Sequence, residues 1–215
     1  MNMPKHRLAV LMLSIAFAGS LGGCAAALIG GAAAAGGASI ADRRSTGAQT
    51  DDEVMEQRVK YQALQAVRSA NTNPQYKPKI AVVSYNRRIL LLGHVASEND
   101  RQTAEAIARS EKNALAVYNH IQVVPINRTF GHISNDTWIT TKLRTHLINV
   151  PGVYFGHVKV VTYDGTAYVM GILAPDQQAA VTERVRTTPG VREVVTLYET
   201  YQPETTTNAA TGSAQ

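Results

Sequence analysis

The chain has 215 residues, 45% hydrophobic and 17% charged, with a formal net charge of +5. That length accommodates one or two modest domains, and so mild a basic excess excludes a dedicated nucleic-acid binder. With a single cysteine, Cys24, it has no internal disulfide and no redox cysteine pair.

The N-terminus reads as a secretory signal over residues 1–23. Lys5, His6 and Arg7 precede an apolar stretch from Leu8 to Phe17, and small residues lead up to Cys24. The run Leu21-Gly22-Gly23-Cys24 resembles a lipobox, where bacteria attach diacylglycerol to the cysteine and cleave before it. An uncleaved membrane anchor is the competing reading, because no charge lies between Leu8 and Ala41. Residues 19–41 are mostly Gly and Ala, which partition too weakly into hydrocarbon for a span. The expectation is therefore lipid attachment at Cys24, a mature chain of 192 residues at +3, and a palmitate-bearing anchor. Ala25 after the cysteine favours the outer membrane, with the protein on its periplasmic face. Residues 24–50 read as the lipidated cysteine and a flexible tether, and 202–215 as a disordered tail, since neither has much to bury.

Between them the chain repeats itself. At an offset of 78, Ile80-Ala81-Val82-Val83-Ser84-Tyr85-Asn86 falls on Val158-Lys159-Val160-Val161-Thr162-Tyr163-Asp164, and Leu91-Leu92-Gly93 on Val169-Met170-Gly171. At an offset of 74, Val117, Ile121 and Val123 meet Val191, Val195 and Leu197. Each copy reads helix, strand, strand, helix, strand. In the first (51–131), a helix is expected from Asp51 to about Ala70, then strands at 79–85 and 89–95. Ser97 to Asp100 starts a second helix to Lys112, and 116–124 closes the unit. In the second (132–201), Asn135 or Asp136 caps a helix to about Ile148, before Pro151-Gly152. Strands at 157–163 and 166–173 flank the turn Asp164-Gly165, Pro175 opens a helix ending before Pro189-Gly190, and Val191 to Tyr201 is the last strand. The fold class is α+β: two tandem αββαβ units, each a three-stranded mixed sheet with two helices on one face. Each core is small, which favours packing of the two domains together.

This repeat, with Gly93 and Gly171 ending the second strands, resembles the BON domain (bacterial OsmY and nodulation). The stretch from Ser134 to Leu143 resembles the first helix of the second domain in dual-BON outer-membrane lipoproteins. The resemblance implies a protein that binds anionic, phosphatidylglycerol-like phospholipid through its second domain and supports outer-membrane integrity. It also implies links to division sites and to the outer-membrane protein assembly machinery.

The residues agree in part. Ile139, Leu143 and Leu147 form one helical stripe assigned to the core. The opposite arc carries Arg144, Ile148, Thr141, Thr145, Trp138 and Lys142, a mixture suited to a membrane interface. Trp138 is equally placed to pack into a seam with the first domain, and Ile148 could join it there. Charge counts do not distinguish the domains as lipid binders: 132–202 holds six basic and six acidic residues, 51–131 eleven and eight. The catalytic search finds nothing: His94, His120, His132, His146 and His157 lack metal-ligand spacing, and no GxSxG or phosphate loop occurs. The chain is read as no enzyme, without metal or cofactor, and with no nucleic-acid partner. A periplasmic protein-interaction adaptor is the alternative to the lipid-binding reading.

Overall fold

The computed structural model describes residues 42–202. The signal, Cys24 and the tail from 203 lie outside them. The first unit runs α1 (Thr46–Ala70), β1 (Lys79–Tyr85), β2 (Arg88–Val95), α2 (Glu98–Arg109) and β3 (Ala116–Val123). The second runs α3 (Phe130–Leu147), a 3-10 turn at Phe155–His157, β4 (Val158–Tyr163), β5 (Thr166–Leu173), α4 (Pro175–Arg186) and β6 (Glu193–Thr200). Each sheet is mixed: its first two strands pair antiparallel, and the third joins the second in parallel. The expected architecture holds in both copies, although Gly93 and Gly171 lie two residues before the end of the second strand rather than ending it, where the first strand's start leaves no room for a side chain. A Cβ at Gly93 would stand 2.4 Å from the Lys79 carbonyl oxygen, and one at Gly171 2.8 Å from that of His157.

Three boundaries differ from the sequence reading. α1 begins at Thr46 rather than Asp51, because Ser45 Oγ accepts from the Ala48 amide at 3.1 Å. Residues 42–50, expected to be tether, are therefore a short strap and the first turn of a helix. α2 stops at Arg109, short of Lys112, where the Ser110 hydroxyl donates to the Ile107 carbonyl at 2.7 Å. α3 begins at Phe130, capped by Thr129, so the boundary drawn at 131/132 falls inside a helix. Neither Asn135 nor Asp136 caps it; Asp136 is buried in mid-helix.

Asp136 belongs to a clasp found in both units. In the second, its carboxylate accepts from the Asp164 and Gly165 amides at 2.7 and 2.9 Å and pairs with Arg128, whose guanidinium lies 3.9 Å from the Tyr163 ring centroid. In the first, Asp52 accepts from the Ser84 hydroxyl and the Asn86 and Arg87 amides at 2.7, 2.8 and 2.7 Å, and pairs with Arg44 at 2.9 Å. Arg44 lies over Tyr85. Each aspartate thus ties the first helix to its β-hairpin turn. The first turn needs that hold, because Asn86 and Arg87 adopt φ of 50° and 60° with no glycine.

Side chains alternate along the strands between two burial surfaces. Ile80, Val82, Ile89 and Leu91 face α1 and α2, and Val160, Ala167, Val169 and Leu173 face α3 and α4. The other faces of the sheets meet: Val83, Tyr85, Leu90 and Leu92 pack on Tyr163, Tyr168 and Met170. This sheet-on-sheet seam is edged by polar links. Lys159 pairs with Glu56 and donates to the Ser84 carbonyl at 2.9 Å, Arg88 pairs with Glu199 at 2.7 Å, and His94 Nε2 stands 2.6 Å from Asp164. Tyr85 donates to the Gly156 carbonyl at 2.8 Å, and burial pushes its phenol above the usual range. The helices occupy the two outer layers, and α3 lies on the side of its sheet away from the seam.

Candidate functional site

The site is the outward face of α3. Eighteen residues at 1.5 Å per residue make this helix about 27 Å long. Ile139 and Leu143 are fully buried and Leu147 nearly so, which fixes the helix's rotation and turns the opposite arc to solvent. Trp138, Thr141, Arg144, Thr145 and Ile148 are exposed and Lys142 is half-buried. Trp138 and Ile148, at 55% and 58% exposure, do not enter the seam, which is built from strands. Of the two positions the sequence allowed for Trp138, the structure keeps the solvent face.

Lys142 Nζ lies 3.5 Å from the Trp138 ring centroid and donates to the Pro189 carbonyl at 3.4 Å. The turn at Gly190 closes against the same helix: with φ of +101°, a Cβ there would stand 3.0 Å from Ile139. Among the described residues neither Lys142 nor Arg144 has a carboxylate within ion-pair distance, whereas Lys159 pairs with Glu56 and Arg186 with Glu183. The threonines form a ladder. Thr137, Thr141 and Thr145 each donate to the carbonyl four residues back, at 2.8, 2.9 and 3.1 Å. Their hydroxyl protons are therefore spent inside the helix. His146 is half-buried with Nδ1 3.1 Å from the Thr188 hydroxyl.

The sequence reading missed Phe130, 84% exposed. It precedes Ile148 by eighteen residues, five full turns, so it lies on the same stripe at the other end of the helix. The missed signal was the repeat itself, at an offset of 84: Arg44-Ser45-Thr46-Gly47 aligns with Arg128-Thr129-Phe130-Gly131, and Asp51-Asp52 with Asn135-Asp136. Recognising it would have started α3 at Phe130. Among the described residues no group of three His, Cys, Asp or Glu side chains could hold a metal ion, and no helix is long and apolar enough to cross a membrane.

A tandem αββαβ repeat with a glycine near the end of each second strand defines a class, and the family model for the BON domain matches residues 51–125 and 135–198. The chain belongs to the BON-domain family, as a dual-BON outer-membrane lipoprotein. It is similar to the outer membrane lipoprotein DolP of Haemophilus influenzae, 32% identical over 91% of this chain and 96% of the relative. It is also similar to a 21 kDa hemolysin of Actinobacillus pleuropneumoniae, 34% identical over 72% of this chain and 76% of that one. A solved C-terminal domain of CdsD, from the type III secretion system of Chlamydia trachomatis, aligns at 12% identity with a TM-score of 0.29, covering 66% of this chain and 96% of that one.

Proposed function

We propose that the outward face of α3 binds anionic, phosphatidylglycerol-like phospholipid, while acyl chains on Cys24 hold the protein at the outer membrane, where it supports membrane integrity at division sites. The observation that supports this reading is Trp138, more than half exposed, beneath an ammonium group that no carboxylate among the described residues neutralises. Tryptophan favours the headgroup level, where its ring is buried and its N–H stays wet. Lys142 and Arg144 each add on the order of 1 kcal/mol near an anionic leaflet. The back-bonded threonines add to this, because hydroxyls already satisfied demand little water when covered. Phe130 and Ile148, about 27 Å apart along the helix, allow α3 to lie flat on the surface as an interfacial helix does.

Flotation of the unlipidated Cys24→Ala protein with phosphatidylglycerol-containing vesicles tests the reading. Trp138→Glu is expected to abolish co-flotation and leave the unfolding midpoint unchanged, because so exposed a ring contributes little to the core. Binding is also expected to weaken from about 50 to about 500 mM salt, as the Debye length shortens. Undiminished flotation of folded Trp138→Glu protein would overturn the assignment. The adaptor reading then gains, with the sheet edges as its docking surface, since the inner sheet faces are occupied by the seam.

A further inference from the structure

A second apolar feature lies just beyond α3. Phe155 is 77% exposed and Tyr154 59%; Phe155 opens the 3-10 turn Phe155–His157 and Tyr154 caps it. This turn is held firmly from below. The His157 amide donates to the Tyr154 carbonyl at 2.9 Å, and the Tyr154 and His157 rings meet edge-on at 5.2 Å. Across the seam the Tyr85 hydroxyl donates to Gly156 O at 2.8 Å. On its remaining side Gly156 packs so closely on Asp42 that a Cβ there would stand 2.7 Å from the Asp42 Cβ. Asp42 is itself braced by Arg44 at 2.7 Å. A phenylalanine projecting into water from a backbone fixed on every side is a placed apolar group.

What covers it follows from where the chain comes from. Asp42 begins the strap, and Cys24 lies eighteen positions before it, so at most about 60 Å of chain separates the acylated cysteine from the turn. The neighbouring Arg43 is fastened to the second domain, donating to Ile172 O at 2.7 Å and Gln177 Oε1 at 2.8 Å and stacking on Tyr201. The chain from the acylated cysteine therefore joins the fold at Asp42, against Gly156 and one residue from Phe155. Ile148, at the C-terminal end of the lipid-facing stripe of α3, is seven residues upstream. We infer that the Tyr154–Phe155 turn is a second membrane contact, inserting Phe155 into the leaflet that holds the protein's own acyl chains. It rests on the lipoprotein anchor and extends the α3 reading. Its chemistry differs from that of α3: Lys159 and Arg44 are paired with carboxylates, and Arg43 is engaged by Ile172 O, Gln177 and the Tyr201 ring. The turn is an apolar wedge without headgroup preference.

The full lipidated chain tests this in vesicles of phosphatidylethanolamine and phosphatidylglycerol. With Cys24 acylated, Phe155→Cys supplies the single free thiol for a polarity-sensitive fluorophore, and Glu53→Cys on α1 supplies an exposed control. Lipids brominated in the acyl chain quench both the label and Trp138, the only tryptophan. The label at 155 is expected to be quenched severalfold more than the one at 53, equally at about 50 and about 500 mM salt. Quenching of Trp138 with none at 155 would overturn the inference and leave α3 standing. Quenching at 155 without Trp138 would support the turn and remove α3. A label at 155 shielded from water yet unquenched would mean that protein covers the turn, and would overturn the inference.

Discussion

The two units of this chain share their inner machinery and differ on their outer helices. Each has an arginine eight residues before a buried aspartate, a tyrosine under the arginine, and an aspartate-held hairpin turn. Each also gives one sheet face to the seam. Outside, α1 is 25 residues long and carries Val54 and Tyr61 among Glu53, Lys60 and Arg58, the last paired with Glu111 at 3.0 Å. The same arc of α3 carries Phe130, Trp138 and Ile148, three back-bonded threonines and two cations that have no carboxylate partner among the described residues. Burial fixes the clasp and the seam alike in both copies, whereas a solvent-facing stripe costs little stability whatever it holds. The two copies have diverged where packing does not constrain them.

The likeness of the two clasps is the part most easily broken. Asp52→Ala and Asp136→Ala each remove one of the two carboxylates paired with a half-buried arginine and orphan two turn amides, and each is expected to cost about 2 kcal/mol in urea unfolding. Because the seam joins the units, both variants should lower one shared transition. Two separable transitions, or an aspartate whose loss costs almost nothing, would show that the copies are independent or that only one clasp bears strain.

The outer helices sharpen the comparison next. Reversing Lys142 and Arg144 to Glu removes two attractions of about 1 kcal/mol each, so the Cys24→Ala protein is expected to bind anionic vesicles at least ~30-fold more weakly. The same change in net charge at Lys60 and Arg68, both exposed on α1, should leave binding within about twofold, since only screened long-range attraction is altered. Equal losses from the two pairs would mean that overall charge, rather than the face of α3, drives association.

Much of this was legible in the sequence, for identifiable reasons. The first two strands of each unit repeat at one offset because both faces of each sheet are buried, so Val82, Val83, Tyr85 and Gly93 have counterparts in Val160, Val161, Tyr163 and Gly171. Runs such as Ile89 to Leu92 carried a further hint, since unbroken apolar residues mark a strand covered on both faces. The helix starts were less legible. Thr46-Gly47 and Phe130-Gly131 are poor openings by propensity, and the Ser45 and Thr129 caps together with the bonds of Arg44 and Arg128 to the aspartates hold them in place. The first helix of each unit also repeats at a different offset from the first two strands, 84 against 78, which hid the clasp. The seam was foreseeable as a need of two small cores, but the faces that form it depended on register, and so the location of Trp138 stayed open.

The smallest expected effect lies within the seam. His120 of β3 meets Tyr168 of β5 edge-on at 5.1 Å, and its pKa is lowered from 6.5, mainly by burial, with Glu193 opposing. A histidine whose folded pKa is depressed disfavours the proton in the native state, so the unfolded chain binds more protons below about 6.5. Stability from the neutral ring is present above that pH and is lost as pH falls through 6.5 towards the depressed value. Because the ring is only partly covered, the loss between about pH 7.5 and about pH 5 should stay below about 1 kcal/mol. His120→Gln removes the titrating group, so its unfolding midpoint should fall less over that range than the wild-type midpoint does. The slopes are the quantity to compare, since the substitution also deletes the edge-on contact with Tyr168 and shifts both ends equally. An unchanged slope would show that the ring accepts its proton in the intact seam as readily as in water, and that burial there constrains shape rather than charge.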